Sequence, residues 1–590
     1  MAGESGDDRG TDWAELIRTL QALWNNAAGA ARTGESAQPF YTDPANLAAL
    51  AQALLRQLPP ASEEQHKQFW EDILGLFETV LGQYGIGPQA GKPRADRPEM
   101  PRSDPRFADP AWRETPFFAL LHQAYLMFGE KLPAMAGEIQ GMEPRRKEQL
   151  AFAMRAVLDA LSPANFPLTN PVALDRAART GGQSLVKGME HLLADMRRGQ
   201  LTHSDPSAFT LGENIATTPG KVVHQTRLYQ LIQYAPVTDR VLKVPLVIFP
   251  AWINRFYILD LGQRKSLVRW ALEQGISTFM VSWKSADETM ADIGWDDYIA
   301  AQIEAVELVC ERLKVPSAHV VGYCVAGTML AAALAVLAHR GDAAKVKSAT
   351  FLAAQVDFSD PGDLGHFADD AMIASIERLG ERGYLDGRYL AATFNLLRGR
   401  ELIWNQVEKS YLLGDETAAF DLLHWNGDTT NLPVTWMQDY LRNLYRDNRL
   451  IAPDSLSACG VPIDLARIAT PSFVHAARED HIAPPASVWK LMHHLAGPRQ
   501  FLLAGSGHIA GVVNPPAAGK YGYWTHDGAA GTLDEFIAAA VEHQGSWWPH
   551  WAQWLRSQDR AEVAARGKRR PGARGDSVIE DAPGSYVKAR

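Results

Sequence analysis

The chain runs to 590 residues, too many for one ordinary domain, and its 46% hydrophobic and 21% charged residues are the balance of a globular protein with a sizeable core. A formal charge of −10 gives no basic surface for nucleic acid or an anionic membrane, so neither is an expected partner. Three cysteines, Cys310, Cys324 and Cys459, cannot build a disulfide framework and fit a reducing compartment. Residues 1–8 are acidic, without the apolar core of a signal peptide, and no apolar run reaches bilayer length. A cytoplasmic protein with no transmembrane segment is the expectation.

In chain order, Trp13, Leu16, Ile17, Leu20, Leu23 and Trp24 recur at helical spacing. A second helix is expected from Ser62, with Gln65 completing a capping box. Its apolar stripe is Phe69, Trp70, Ile73, Leu76, Phe77 and Val80. Two readings stand for residues 1–84: a helical bundle packing its own core, or an amphipathic surface for an apolar partner. Residues 85–110 are dense in Pro, Gly, Arg and Asp and predict a linker or extended arm. Helical patterning over 112–132, 147–161 and 175–196 then predicts a helical N-terminal domain over 111–204, interrupted by the Pro-rich turn Ser162-Pro-Ala-Asn-Phe-Pro-Leu-Thr-Asn-Pro171.

Apolar β-type runs follow at 244–249, 278–283, 319–321, 349–353, 472–476 and 500–503, with helical stretches such as 295–313 between them. Alternation of this kind predicts an α/β domain over 205–560 with a mainly parallel sheet covered on both faces. The long gap between Ala353 and Ser472 reads as an inserted helical cap over about 355–450, rich in aromatics including Trp404, Tyr411, Trp425, Trp436 and Tyr440. Cys310 falls on the apolar side of 295–313 and reads as a core residue. The aromatic cluster at 545–551 is expected to dock on the body, and 561–590, with the basic run 566–570, to be a solvated tail.

The chemistry centres on His319-Val-Val-Gly-Tyr-Cys-Val-Ala-Gly327. A buried strand, a sharp turn and a helix of small residues, with a nucleophile at the turn, form the nucleophile elbow of α/β-hydrolases, here with Cys324 in place of Ser. Chain order then demands an acid and a base. Asp480 follows a late strand; His508 sits in the Gly-rich loop Ala504-Gly-Ser-Gly-His-Ile-Ala-Gly511. Asp357 and Asp360 compete for the acid, and His475, His481 and His424 for the base. A thiol needs an adjacent imidazole to attack at neutral pH. A thiolate expels an alkoxide poorly but exchanges evenly with a thioester, which argues for acyl transfer from a thioester. The oxyanion is expected at the backbone N–H of Val325, with a second donor near Ala251 to Ile253.

These residues resemble the polyhydroxyalkanoate synthases, whose Gly-x-Cys-x-Gly-Gly box is similar to Gly322-Tyr-Cys-Val-Ala-Gly327. The likeness runs from about Asp104 onward through Ile253-Asn-Arg-Phe-Tyr-Ile-Leu-Asp-Leu261, Phe420-Asp-Leu-Leu-His-Trp-Asn-Gly-Asp428, Arg478-Glu-Asp-His481 and Gly505-Ser-Gly-His508. It implies a class I enzyme polymerising (R)-3-hydroxyacyl-CoA, most often 3-hydroxybutyryl, with release of CoA. Cys324 would carry the acyl chain, His508 deprotonate it, and Asp480 orient His508 and help activate the 3-hydroxyl. Trp425, Asp428 and His481 would lie near the site. The resemblance further implies a homodimer, attachment to the polymer granule surface and company with granule-coat proteins. Neither a metal nor a cofactor is called for; the substrate itself is the CoA thioester.

Two departures from the family pattern stand out: Ala326 replaces the usual Gly in the box, and Pro250-Ala-Trp-Ile-Asn254 replaces Pro-Pro-x-Ile-Asn. The first is expected to disturb Cys324, the second the oxyanion wall. A thioesterase or depolymerase on the same fold and a non-catalytic granule-coat protein are the rival readings.

Overall fold

The computed structural model describes residues 63–88, 90, 104–139 and 141–589. The helix expected around Trp13 lies outside them. The chain divides into two compact units, Met1–His203 with Ala392–Ala418, and Ser204–Ala391 with Ala419–Arg590.

In the first unit, helices Glu63–Gln83, Pro116–Glu138 and Pro144–Ala160 pack in sequence. The stripe on Glu63–Gln83 divides: Leu76 and Val80 are buried with Ala119 and Met127, whereas Trp70 and Phe77 are exposed. The expected linker ends early. Asp104 caps a short turn, Pro105–Phe107, by accepting from the Arg106 N–H, and Phe107 is buried beside Trp112 and Tyr125. Arg106 also pairs with Asp104 and Asp159, at 2.9 and 3.3 Å. The single helix expected over 175–196 is two, Pro171–Arg179 and Gln183–Arg198, because Gly181 and Gly182 take positive φ of 57° and 85°. The Pro-rich turn is buried at both ends, 162–165 and 170–171, and exposed at Phe166 to Leu168 between them. Asn165 donates to the carbonyls of Asp159 and Ala160, and the Asn170 side chain caps Pro171–Arg179. Residues 392–418, expected within the cap, belong to this unit instead. The Tyr411 hydroxyl donates to Asp195 at 2.8 Å, and Val407 and Tyr411 share an apolar cluster with Ala160 and Leu201.

The second unit is built on a sheet of eleven strands. In chain order these are β1 (Gly220–Gln225), β2 (Tyr229–Tyr234), β3 (Leu246–Phe249), β4 (Thr278–Trp283), β5 (Ala318–Tyr323), β6 (Val346–Leu352), β7 (Ser472–Ala477), β8 (Arg499–Ala504), β9 (Gly522–Thr525), β10 (Val541–Gln544) and β11 (Glu580–Asp581). They lie in the order β10-β9-β8-β7-β6-β5-β3-β4-β2-β1-β11. The centre, from β8 to β4, is parallel; both wings are antiparallel. Strands β4, β5 and β7 are buried at every position, as a sheet covered on both faces requires. Helix Val325–Arg340 leaves β5 with residues 325–337 all buried, and its Ala and Leu side chains allow that close fit. This strand order is that of the α/β-hydrolases.

The tail is not a solvated arm. Glu562–Ala564 pairs antiparallel with Arg240–Leu242, and β11 joins β1. Arg569, in the basic run, is buried, donating to the carbonyls of Leu242 and Lys243. Burial lowers the pKa of its guanidinium. The aromatic cluster does dock: Trp547, Trp548 and Trp551 are buried, with indole N–H groups on Gly511 O, Val512 O and Thr350 Oγ1. Cys310 packs on the core, where burial and the Glu307 charge push its thiol up to about 11. No helix among the described residues is long and apolar enough to cross a membrane.

Candidate active site

Cys324 stands at the end of β5 with φ 54° and ψ −127°, a conformation that side chains other than Gly rarely adopt. The turn holds because Gly322 and Gly327 meet. A Cβ on Gly322 would lie 2.5 Å from Gly327 Cα, and one on Gly327 would lie 2.4 Å from Ala354 Cβ. Position 326, the departure from the family box, is not the crowded one: Ala326 is buried in the apolar cluster and its carbonyl accepts from Gln302 at 2.9 Å.

His508 leaves β8 on a loop where Ser506 takes φ 72°. Trp547 and Trp548 fix the far side of that loop through their indole bonds to Gly511 and Val512. The Tyr323 ring stacks on the imidazole at 5.5 Å, and its hydroxyl donates to the His508 carbonyl at 3.1 Å. Nδ1 lies 2.7 Å from Asp480 Oδ2, and His508 also hydrogen-bonds Cys324. Asp480 Oδ1 accepts from the N–H groups of Ile482 and Ala483, each at 2.9 Å, so both carboxylate oxygens are engaged. Burial by itself lowers the His508 imidazole, but the Asp480 and Cys324 charges and hydrogen bonds outweigh it and hold the group well above its ordinary value.

The competing residues do other work. His475 lies fully buried in β7 with Nε2 3.2 Å from the Gly511 carbonyl, and burial pulls it down to about 4. His424 lies against Phe209. Asp357 accepts from Ser359 and Asn448. The His481 carbonyl accepts from the Asp363 N–H, next to Asp480 in the chain.

Ile253 lies in the loop after β3. That loop is held by the Trp283 indole on the Pro250 carbonyl and by Trp252 stacked on Tyr298 at 4.1 Å. Among the described residues, neither the Val325 nor the Ile253 N–H donates to another backbone group. Trp425 packs in the cluster that includes Cys324 and donates to the Arg255 carbonyl at 2.7 Å. Asp428 faces Arg255 and Tyr257, beside the loop after β3.

Two residues escaped the sequence reading. Tyr440 ends helix Val434–Tyr440, and Tyr445 sits in the wide π-turn Leu441–Arg446. Burial raises both phenols, and the charge of the nearby Cys324 adds to it. Only the aromatic richness of the cap pointed to them.

Residues 103–271 match the model of the poly-beta-hydroxybutyrate polymerase (PhaC) N-terminus, and 236–515 that of the alpha/beta hydrolase fold. A poly(3-hydroxyalkanoate) polymerase of Methylorubrum extorquens is 43% identical over 499 residues, covering 83% of this chain and 82% of the relative. The poly(3-hydroxyalkanoate) polymerase subunit PhaC of Rhizobium meliloti is 42% identical over 524 residues, 88% of this chain and 85% of the relative. That of Cupriavidus necator is 42% identical over 500 residues, 83% and 84%. Likeness at this level over most of both chains makes this protein a member of the poly(3-hydroxyalkanoate) polymerase family, on an α/β-hydrolase fold.

Proposed function

We propose that the protein polymerises (R)-3-hydroxyacyl groups from CoA thioesters, with a preference for the short 3-hydroxybutyryl unit, through a covalent thioester on Cys324. The observation that supports this reading is the row Cys324–His508–Asp480, in which the imidazole is bonded to the thiol on one side and the buried carboxylate on the other. His508 takes the thiol proton, and the sulfur attacks the thioester carbonyl. The N–H groups of Val325 and Ile253 receive the developing oxyanion. The C–S bond to CoA breaks, and His508 returns the proton to the departing sulfur. A 3-hydroxyl then gives its proton to His508 and attacks the acyl-enzyme, forming the ester and freeing Cys324. Asp480 keeps His508 in the required tautomer throughout. Thioester-for-thioester exchange on Cys324 is close to even, so no metal or cofactor enters the scheme.

The exposed face of helix Gln183–Arg198, with Leu185, Val186, Met189 and Leu193, supports a second part of the reading, attachment to an apolar polymer surface.

The test is CoA release from (R)-3-hydroxybutyryl-CoA, with products separated into soluble acid and insoluble polymer, for the wild type beside Cys324→Ala. Polymer and CoA together, both lost in the variant, are expected. Free acid alone would indicate a thioesterase.

A further inference from the structure

Next to the nucleophile the cap places a small polar group in an otherwise apolar wall. Rings of Phe358, Trp436, Tyr440 and Tyr445 pack together: Tyr440 lies 4.9 Å from Trp436, and Tyr445 4.7 Å from Phe358. In a regular α-helix, positions 440 and 445 would point about 140° apart. The π-turn Leu441–Arg446 adds the extra residue per turn that re-aims one of them, and the two rings meet edge to face at 5.4 Å. Turns of this kind cost helix hydrogen-bond geometry, and they recur where a side chain must be aimed.

The hydrogen-bond inventory of this group does not close. Tyr445 hydrogen-bonds both Tyr440 and the Gln355 side chain. Gln355 is held from behind, its carbonyl accepting from Thr328 Oγ1 at 2.7 Å, on the helix that carries the nucleophile. Its side-chain Oε1 is buried with no partner among the described residues, although the residue is only 5% exposed. What is left over is one acceptor, Gln355 Oε1, beside a phenol able to donate, Tyr445. A buried acceptor without a partner costs about 1–3 kcal/mol unless something fills it. An alcohol is the complement, since it brings one proton to give and lone pairs to receive.

We propose that Tyr445 and Gln355 form a subsite for the 3-hydroxyl of the acyl unit being loaded onto Cys324. Gln355 Oε1 accepts the substrate O–H, Tyr445 donates to its oxygen, and Tyr440 sets the direction of the Tyr445 proton. The subsite fixes the unit in the elbow by its hydroxyl and rejects acyl groups that lack one. The inference rests on the polymerase reading and adds residues that read the substrate.

The experiment is the pre-steady-state loading of Cys324, read as CoA released per thiol, from (R)-3-hydroxybutyryl-CoA and from butyryl-CoA, which lacks the hydroxyl. Wild type runs beside Tyr445→Phe and Gln355→Leu, with alkylation of Cys324 by iodoacetamide as a measure that involves no acyl group. Loading from the hydroxyacyl thioester is expected to fall about ten- to a hundredfold in both variants. Loading from butyryl-CoA and alkylation should hold near their wild-type rates. Equal losses on both thioesters, slowed alkylation, or unchanged loading of the hydroxyacyl unit would each overturn the subsite. A wild type that alkylates normally but releases no CoA from either thioester would instead sink the polymerase reading beneath it.

Discussion

Arg255 and Asp428 form a buried ion pair, Nε to Oδ1 at 3.4 Å, with both side chains almost fully shielded from water. Asp428 Oδ2 also accepts from the Tyr257 hydroxyl at 2.8 Å. The guanidinium further donates to the Ala589 carbonyl at 2.7 Å and to the Tyr586 carbonyl at 3.3 Å. One arginine therefore fastens the segment just beyond Ile253 to the cap and to the strand-forming tail. Asp428→Ala strands that charge in a dry site, and the expected loss of stability is about 3–5 kcal/mol. A urea midpoint shift that, multiplied by the measured slope, comes to less than about 3 kcal/mol would contradict it.

Gly327 and Ala326 are neighbours with opposite expectations. Gly327→Ala puts a methyl 2.4 Å from Ala354 Cβ and 2.8 Å from the Gly322 carbonyl, both part of the elbow's frame. Displacing Cys324 by even a fraction of an ångström should cost about a hundredfold in CoA release. Ala326→Gly removes a buried methyl and adds backbone freedom, lowering stability by about 1–2 kcal/mol while turnover stays within about twofold. Thermal unfolding and steady-state assays on the pair decide this.

Asp480→Asn should cost about 10³- to 10⁴-fold in CoA release, because the side chain can no longer hold His508 in one tautomer as an acceptor pair. It also takes away a charge that raises the imidazole against the effect of its burial. The pH at which His508 gives up its proton must therefore fall in the variant. Imidazole resonances followed by NMR through a pH titration would show that shift, and an unchanged titration would exclude it.

Asp260 offers a stability test away from the chemistry. Burial raises its carboxyl to about 6 from the ordinary 3.8, against hydrogen bonds from Ser266 and Thr218 that pull the other way. The fold thus prefers the protonated form. That preference is fully present below pH 3.8 and is lost as the pH rises through about 6. Asp260→Asn, which never ionises, should gain about 3 kcal/mol on the wild type between pH 3.8 and pH 7. Parallel stability curves for the two proteins over that range would refute it.

Leu185, Val186, Met189 and Leu193 lie on one exposed side of helix Gln183–Arg198. Replacing all four by Ser should leave CoA release from soluble substrate intact and shift the protein from the pelleted polymer to the supernatant. Undiminished co-sedimentation would remove this face from consideration.

The elbow and its two partners were legible because each follows a strand whose apolar run is short and local. Gly322, Asp480 and the Gly-rich loop around His508 carry their meaning within a few residues. Elements that failed to show depend on partners far away. Strand β2 contains Gln230 and Gln233, which look like surface residues. Both are buried, Gln230 donating to Glu580 and Ser585, and Gln233 to the Lys568 carbonyl. For the same reason the basic run read as a tail: the acceptors of Arg569 lie more than three hundred residues upstream. The cap was visible as an aromatic insertion, but residues 392–418 share the same composition and pack with the first unit. Tyr440 and Tyr445 stand five apart, a spacing that a 3.6-residue period assigns to different faces. The Gly181-Gly182 break was in plain view, and helical periodicity on both sides hid it.

The grip of Arg255 on the carbonyls of residues 586 and 589 spans 331 and 334 positions. During synthesis those carbonyls emerge long after β3 and the elbow, so the hold of Arg255 on the tail is a late addition to a loop already gripped by Trp283, Trp252 and Trp425. The loop after β3 therefore gains its full set of partners only once the tail has crossed back to β1.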